Sequence, residues 1–179
     1  MDVIVLFLGA IIVGFGLIFL IAVTSPKPPA IDLRKESNNS PLVELDTEQL
    51  GRLVIAILDK MGLEIERTQG GKNEVFEIRA VNPTPVTGGT FLVHCMPAPE
   101  TTGKLDGPAV GAFIRAMRSA YVSKGLLFTA GTFTPDGRLA AEDAPVELFD
   151  RYAIMKMVDD YFGRDEALPK LVAGLPPTT

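Results

Sequence analysis

Four side chains, Glu77, His94, Cys95 and Met96, have the types and spacing to do chemistry together in this 179-residue chain. A carboxylate beside an imidazole can ligate a metal ion or relay a proton. A thiol is a nucleophile once deprotonated, whereas a thioether offers only a soft ligand or packing. Each residue also has a plainer reading. Glu77 is either a metal ligand or a strand carboxylate, solvated or paired with Arg79. His94, the only histidine, is either a ligand or base, or a buried imidazole satisfied by a backbone carbonyl. Cys95, the only cysteine, reads as core, because no basic neighbour in sequence lowers its pKa.

Two strands must position these groups. Val75 to Val81 alternates, with Val75, Glu77, Arg79 and Val81 on one face and Phe76, Ile78 and Ala80 on the other. Thr90 to Met96 is a nearly continuous apolar run, as expected of a strand buried on both faces. Asn82 to Gly89, dense in Pro and Gly, is the loop between them. Adjacent pairing would bring Glu77 close to His94.

The remaining elements follow from capping and periodicity. Asp46 and Gln49 form a capping box ahead of Leu50, Leu53, Val54, Ile57, Leu58 and Met61 at helical spacing, and Gly62 is the stop. Leu63 to Thr68 alternates as a first strand, and Gln69 to Asn73 is a turn. After a loop from Pro97 to Asp106, a second helix is predicted over Gly107 to Lys124, with Val110, Phe113, Ile114, Met117 and Tyr121 as its apolar stripe. Arg115, Arg118 and Lys124 lie off that stripe as a modest basic patch. Gly125 to Thr129 is a short buried strand, and Thr134 with Pro135 opens a short helix. Val146 to Asp150 is a last strand, and Arg151 to Phe162 a last helix burying Tyr152, Ile154, Met155, Val158 and Tyr161 or Phe162. This order implies an α/β sandwich around one sheet, antiparallel in its first part and parallel in its second.

The apolar fraction of 47% and mean hydropathy of +0.26 are raised locally. Val3 to Val23 holds no charged or strongly polar side chain and suffices to cross a bilayer as a helix. It lacks the basic start and small-residue cleavage site of a signal peptide, so it reads as an uncleaved transmembrane anchor. Lys27, Arg34 and Lys35 follow it and no basic side chain precedes it, which places the C-terminal bulk in the cytoplasm. The organisation is therefore an anchor over 3–23, a Pro-punctuated linker over 24–45, a folded domain over 46–162 and a loose tail over 163–179.

Leu58 to Thr68, and Ser123 to Pro135 with its Lys-Gly-Leu-Leu-Phe-Thr core, resemble matching segments of the Mrr-type (type IV) restriction-endonuclease domain. Val146 to Asp150 is similar to the apolar strand and acidic residue before that family's last helix. The resemblance covers roughly Asp46 to Tyr161. It implies a restriction-endonuclease-like α/β fold, a central mixed sheet flanked by helices, here preceded by one transmembrane helix. It also implies DNA as a partner, while the apolar run and the basic residues behind it place the anchor in a bacterial inner membrane. The family places an Asp on the second strand, and Glu or Gln, any residue, then Lys on the third. The carboxylates hold Mg²⁺ and the Lys positions the attacking water. Matching these positions puts Glu77 in place of Asp, His94 in place of the acid or amide, and Met96 in place of Lys.

Three readings follow. In the first, the domain keeps the fold with only a vestigial site at Glu77 and His94, requires no cofactor, and binds nucleic acid or a protein partner at the membrane. In the second, it is an active Mg²⁺-dependent DNA endonuclease whose site is rearranged around Glu77, His94, Glu74 and Lys72. In the third, it is a structural subunit of a membrane complex. Charge favours the first over the second. Asp46 to Phe162 carries 12 Lys and Arg against 16 Asp and Glu, a balance of −4, and only Arg115, Arg118 and Lys124 offer a basic patch to nucleic acid.

Overall fold

The computed structural model describes residues 42–70, 75–85, 88–163 and 173. The anchor over Val3 to Val23, nearly all of the linker and the tail, and the turn residues Lys72 and Glu74 lie outside the described residues. Among the described residues no helix is long and apolar enough to cross a membrane.

Helix α1, Thr47–Lys60, starts at the predicted capping box. Asp46 accepts from the Gln49 backbone N–H at 2.7 Å, and Gln49 Oε1 accepts from the Asp46 N–H at 2.9 Å. Its apolar face, Leu50, Leu53, Val54, Ile57 and Leu58, is fully buried. Packing begins earlier than the helix, since Leu42, which the sequence suggests is linker, is 0% exposed in the same core. Strands β1 (Glu64–Gln69), β2 (Phe76–Asn82) and β3 (Gly89–Met96) pair as an antiparallel meander. A β-carbon at Gly51 of α1 would stand 2.5 Å from the Phe76 ring, so the helix lies directly on β2.

Beyond β3 the sheet turns parallel. Strand β5 (Lys124–Thr129) pairs with β3, and β7 (Val146–Phe149) pairs with β5, giving the order β1-β2-β3-β5-β7. A separate two-stranded parallel ladder, β4 (Lys104–Leu105) with β6 (Thr132–Phe133), ties the loop after β3 to the loop after β5. Strands of two residues carry no hydrophobic period, which is why the sequence reads them as loop. Helices α2 (Gly107–Ser119), α3 (Pro135–Ala141) and α4 (Arg151–Phe162) complete the fold. Helix α3 is capped by Thr134, as predicted, and α4 by Asp150, the residue that ends the predicted last strand. Helices α1 and α4 cover the sheet face carrying Phe76, Ile78, Val93, Cys95 and Phe128. Helix α2, with Ala141 of α3, covers the face carrying Leu92 and Leu127.

Helix α2 stops five residues before the predicted Lys124. Ala120 is its C-cap, Tyr121 turns to φ +52°, and Lys124 already pairs with Phe91 as the first residue of β5. No Gly or Pro marks that stop; the helix is ended by the capture of Lys124–Thr129 between β3 and β7. Tyr121 therefore leaves the apolar stripe and stands 94% exposed. Likewise Tyr161 of α4 is exposed, while Ile154 and Val158 are buried and Met155 and Phe162 pack at the core's edge.

Candidate active site

Glu77 and His94 face each other directly across β2 and β3. Both side chains point to the α2 face, because each is an even number of residues from its neighbours there, Arg79 on β2 and Leu92 and Met96 on β3. His94 Nε2 lies 2.9 Å from Glu77 Oε2. A carboxylate can only accept, so Nε2 carries the proton and donates. The imidazole is buried, with its side chain 10% exposed, and its ring packs against Phe113 of α2 at a centroid distance of 4.8 Å. Nδ1 is closed off from solvent and has no hydrogen-bond partner among the described residues. Burial pushes the His94 pKa below its ordinary value, and the hydrogen bond and charge of Glu77 oppose that shift only in part. The ring is thus neutral at pH 7, wedged between an aromatic wall and one carboxylate. Glu77 itself keeps 43% of its side chain exposed.

Adjacent pairing brings Glu77 and His94 together, as the strand order led us to expect. Glu77 pairs with His94, while Arg79 turns to Glu66 of β1 at 3.2 Å. His94 is buried, but its satisfaction comes from a carboxylate across the ladder and not from a backbone carbonyl. Met96 lies two residues further on the same face, half-buried, packing against the Leu92–Phe113–Leu127 cluster. Cys95 points the other way into the opposite core, where complete burial drives its thiol pKa far up and removes it as a nucleophile. The wall that Phe113 supplies is not legible in sequence, where Phe113 is simply one position of an apolar stripe.

The basic patch divides. Arg115 and Arg118 are exposed on α2. Lys124 sits on β5, ion-paired with Glu147 of β7. The N-terminus of α2 is already occupied by carboxylates, since Asp106 accepts from the Ala109 N–H at 3.1 Å and Asp136 of α3 from the Gly107 N–H at 2.9 Å. The Asp136 carboxyl is held below its ordinary pKa by hydrogen bonds from Thr134 and then from the Gly107 N–H.

The catalytic-domain model of the Mrr family, described as restriction endonuclease, matches residues 42–158. The chain belongs to this restriction endonuclease family. Among solved structures, the DNA modification-dependent restriction endonuclease AspBHI has a TM-score of 0.51 at 12% identity, over 69% of this chain and 34% of its own. The MspJI restriction endonuclease in complex with a 27-mer oligonucleotide gives 0.47 at 17% identity, over 70% of this chain and 30% of its own. The likeness to AspBHI carries the fold, and the chain spans about a third of the length of either endonuclease. No curated protein matches the chain.

At the positions where the resemblance puts the Mg²⁺ ligands and the lysine of a nuclease stand Glu77, His94 and Met96. Mg²⁺ asks for hard oxygen ligands in an octahedron. Here one oxygen of Glu77 is engaged by an N–H, the neighbouring group is an imidazole, and the next on the same face is a thioether. Among the described residues, no three His, Cys, Asp or Glu side chains stand close enough to hold an ion together.

Proposed function

We propose that this chain is a non-cleaving member of the restriction endonuclease family, a domain that acts by binding and is held at a membrane by Val3 to Val23. The Glu77–His94 hydrogen bond carries the reading. A metal-dependent nuclease needs oxygen ligands free to take the ion and a charged group to steady the attacking water. At the matching positions this chain spends a carboxylate oxygen on a buried imidazole, whose second nitrogen is sealed against substrate, and follows it with uncharged Met96. Nucleic acid is the partner class that family membership favours, as AspBHI, which shares the fold, is a DNA modification-dependent enzyme. In this reading the protein requires no metal, and the basic residues behind the apolar segment hold the domain on the cytoplasmic side of a bacterial inner membrane.

The test is a nicking assay on methylated and unmethylated supercoiled plasmid with Mg²⁺ or Mn²⁺, using the full-length chain in detergent micelles and its Glu77→Ala variant. We expect no cleavage from either. Robust nicking by the first that vanishes in the second would make this chain an enzyme and overturn the reading.

A further inference from the structure

The chain carries a net charge of −5, yet no Asp or Glu occurs between Gly107 and Pro135. Helix α2 lies wholly within that stretch. On its solvent side, Arg115 and Arg118 are one turn apart, both exposed, and neither makes an ion pair or hydrogen bond among the described residues. Elsewhere Arg79, Lys124, Arg138 and Lys156 each face a carboxylate, whereas Arg52, Lys60, Arg67 and Lys104, like Arg115 and Arg118, have no carboxylate partner among the described residues. The carboxylates that cap α2, Asp106 and Asp136, sit at its far end, about 14 Å along the axis from Arg115 and about 18 Å from Arg118.

Three residues after Arg118 comes Tyr121. Among the described residues it is the only one other than glycine with a positive φ, at +52°. Glycine is the usual occupant of this position just past a helix C-cap, and a residue with a β-carbon is strained there. The ring recovers nothing in return, since it is 94% exposed and its own fold does not use it. An aromatic ring is thus held in water three residues after Arg118, just past the end of a helix that carries two unpaired guanidiniums and no carboxylate of its own.

We propose that Arg115, Arg118 and Tyr121 form a docking surface for single-stranded nucleic acid, the guanidiniums on backbone phosphates and the Tyr121 ring stacked on an unpaired base. This rests on the reading that the domain acts by binding. Charge complementarity selects a polyanion, and the ring selects a strand whose bases are free, because a duplex keeps its base faces stacked internally. A membrane surface fits less well: the other exposed positions of α2 are Pro108, Ala112 and Ser119, too small to insert.

The experiment is fluorescence anisotropy with labelled 20-nucleotide oligo(dT), a 20-base-pair duplex, and vesicles of phosphatidylserine and phosphatidylcholine, using the full-length chain in detergent micelles for the oligonucleotides and inserted in the vesicles for the lipid arm. Oligo(dT) should bind more tightly than duplex. Two phosphate contacts imply a logarithmic salt slope of about −1.4, so affinity should fall about sevenfold between 50 and 200 mM NaCl. Arg115→Ala with Arg118→Ala should flatten that slope. Tyr121→Gly, which relieves the positive φ, should weaken oligo(dT) binding roughly 5- to 100-fold without changing the slope, and Tyr121→Phe should restore it. Absence of oligo(dT) binding, equal affinity of wild type and Tyr121→Gly, tighter binding of duplex, or vesicle docking that depends on Arg115 and Arg118 would each overturn the proposal. Plasmid nicking would instead overturn the non-cleaving reading, leaving the Tyr121 comparison to be judged by itself.

Discussion

Glu77→Gln should make the protein more sensitive to acid while leaving its stability at neutral pH nearly unchanged. The carbonyl of the introduced amide can still accept from His94 Nε2, so the hydrogen bond survives and the change at pH 7.5 should stay within about 0.5 kcal/mol. Glu77→Ala removes the acceptor. Hydrogen bonds to charged groups contribute roughly 1.5–3 kcal/mol when shielded, and the half-exposed Glu77 side chain reduces that, so the loss should be about 1–2 kcal/mol. The pH effect follows from where His94 titrates. Unfolded, its pKa is near 6.5; folded, burial holds it lower. Between those two values the unfolded chain binds more protons, so stability is fully present above about pH 6.5 and is lost as pH falls towards the folded pKa. The Glu77 charge raises that folded value, and removing it lowers the folded pKa further and deepens the acid loss. Because the chain has a single histidine, its imidazole Cε1–H resonance can be titrated directly without assignment. Urea midpoints at pH 7.5 and 5.5 give the stability change. A folded-state midpoint at or above 6.5, or a Glu77→Gln variant whose midpoint rises, would refute this account of the site.

Leu127→Ala, which empties a fully buried position between the sheet and α2, should cost about 2–5 kcal/mol by urea denaturation; an unchanged midpoint would displace β5 from the core. Gly51→Ala, although favourable for a helix in isolation, drives a β-carbon into the Phe76 ring and should destabilise by about 1–3 kcal/mol, whereas a stabilised variant would mean that α1 does not lie so close to β2. The full-length chain should remain with bacterial membranes through a carbonate wash, and a soluble mature form beginning near Ser25 would replace the anchor with a cleaved signal.

Local chemistry made much of this fold legible. Capping residues and periodicity are properties of a few neighbouring side chains, so Asp46 with Gln49, and Thr134 with Pro135, mark their helix starts from sequence alone. Alternation did the same for the two faces of β2, and the sequence order of strands and helices implied a sheet that passes from antiparallel to parallel. The family itself was readable because its most distinctive segments are contiguous. What neighbours in sequence cannot encode is which long-range partner a group acquires. The end of α2 was set by sheet pairing at Lys124, and that pairing put Tyr121 in water and gave Lys124 to Glu147. The pairing of Arg79 with Glu66, the two-residue ladder of β4 with β6, and the sealing of His94 between Glu77 and Phe113 all join residues brought together only by folding. An imidazole's proton affinity depends on the water it loses and the charge it meets, and both are supplied by the tertiary structure.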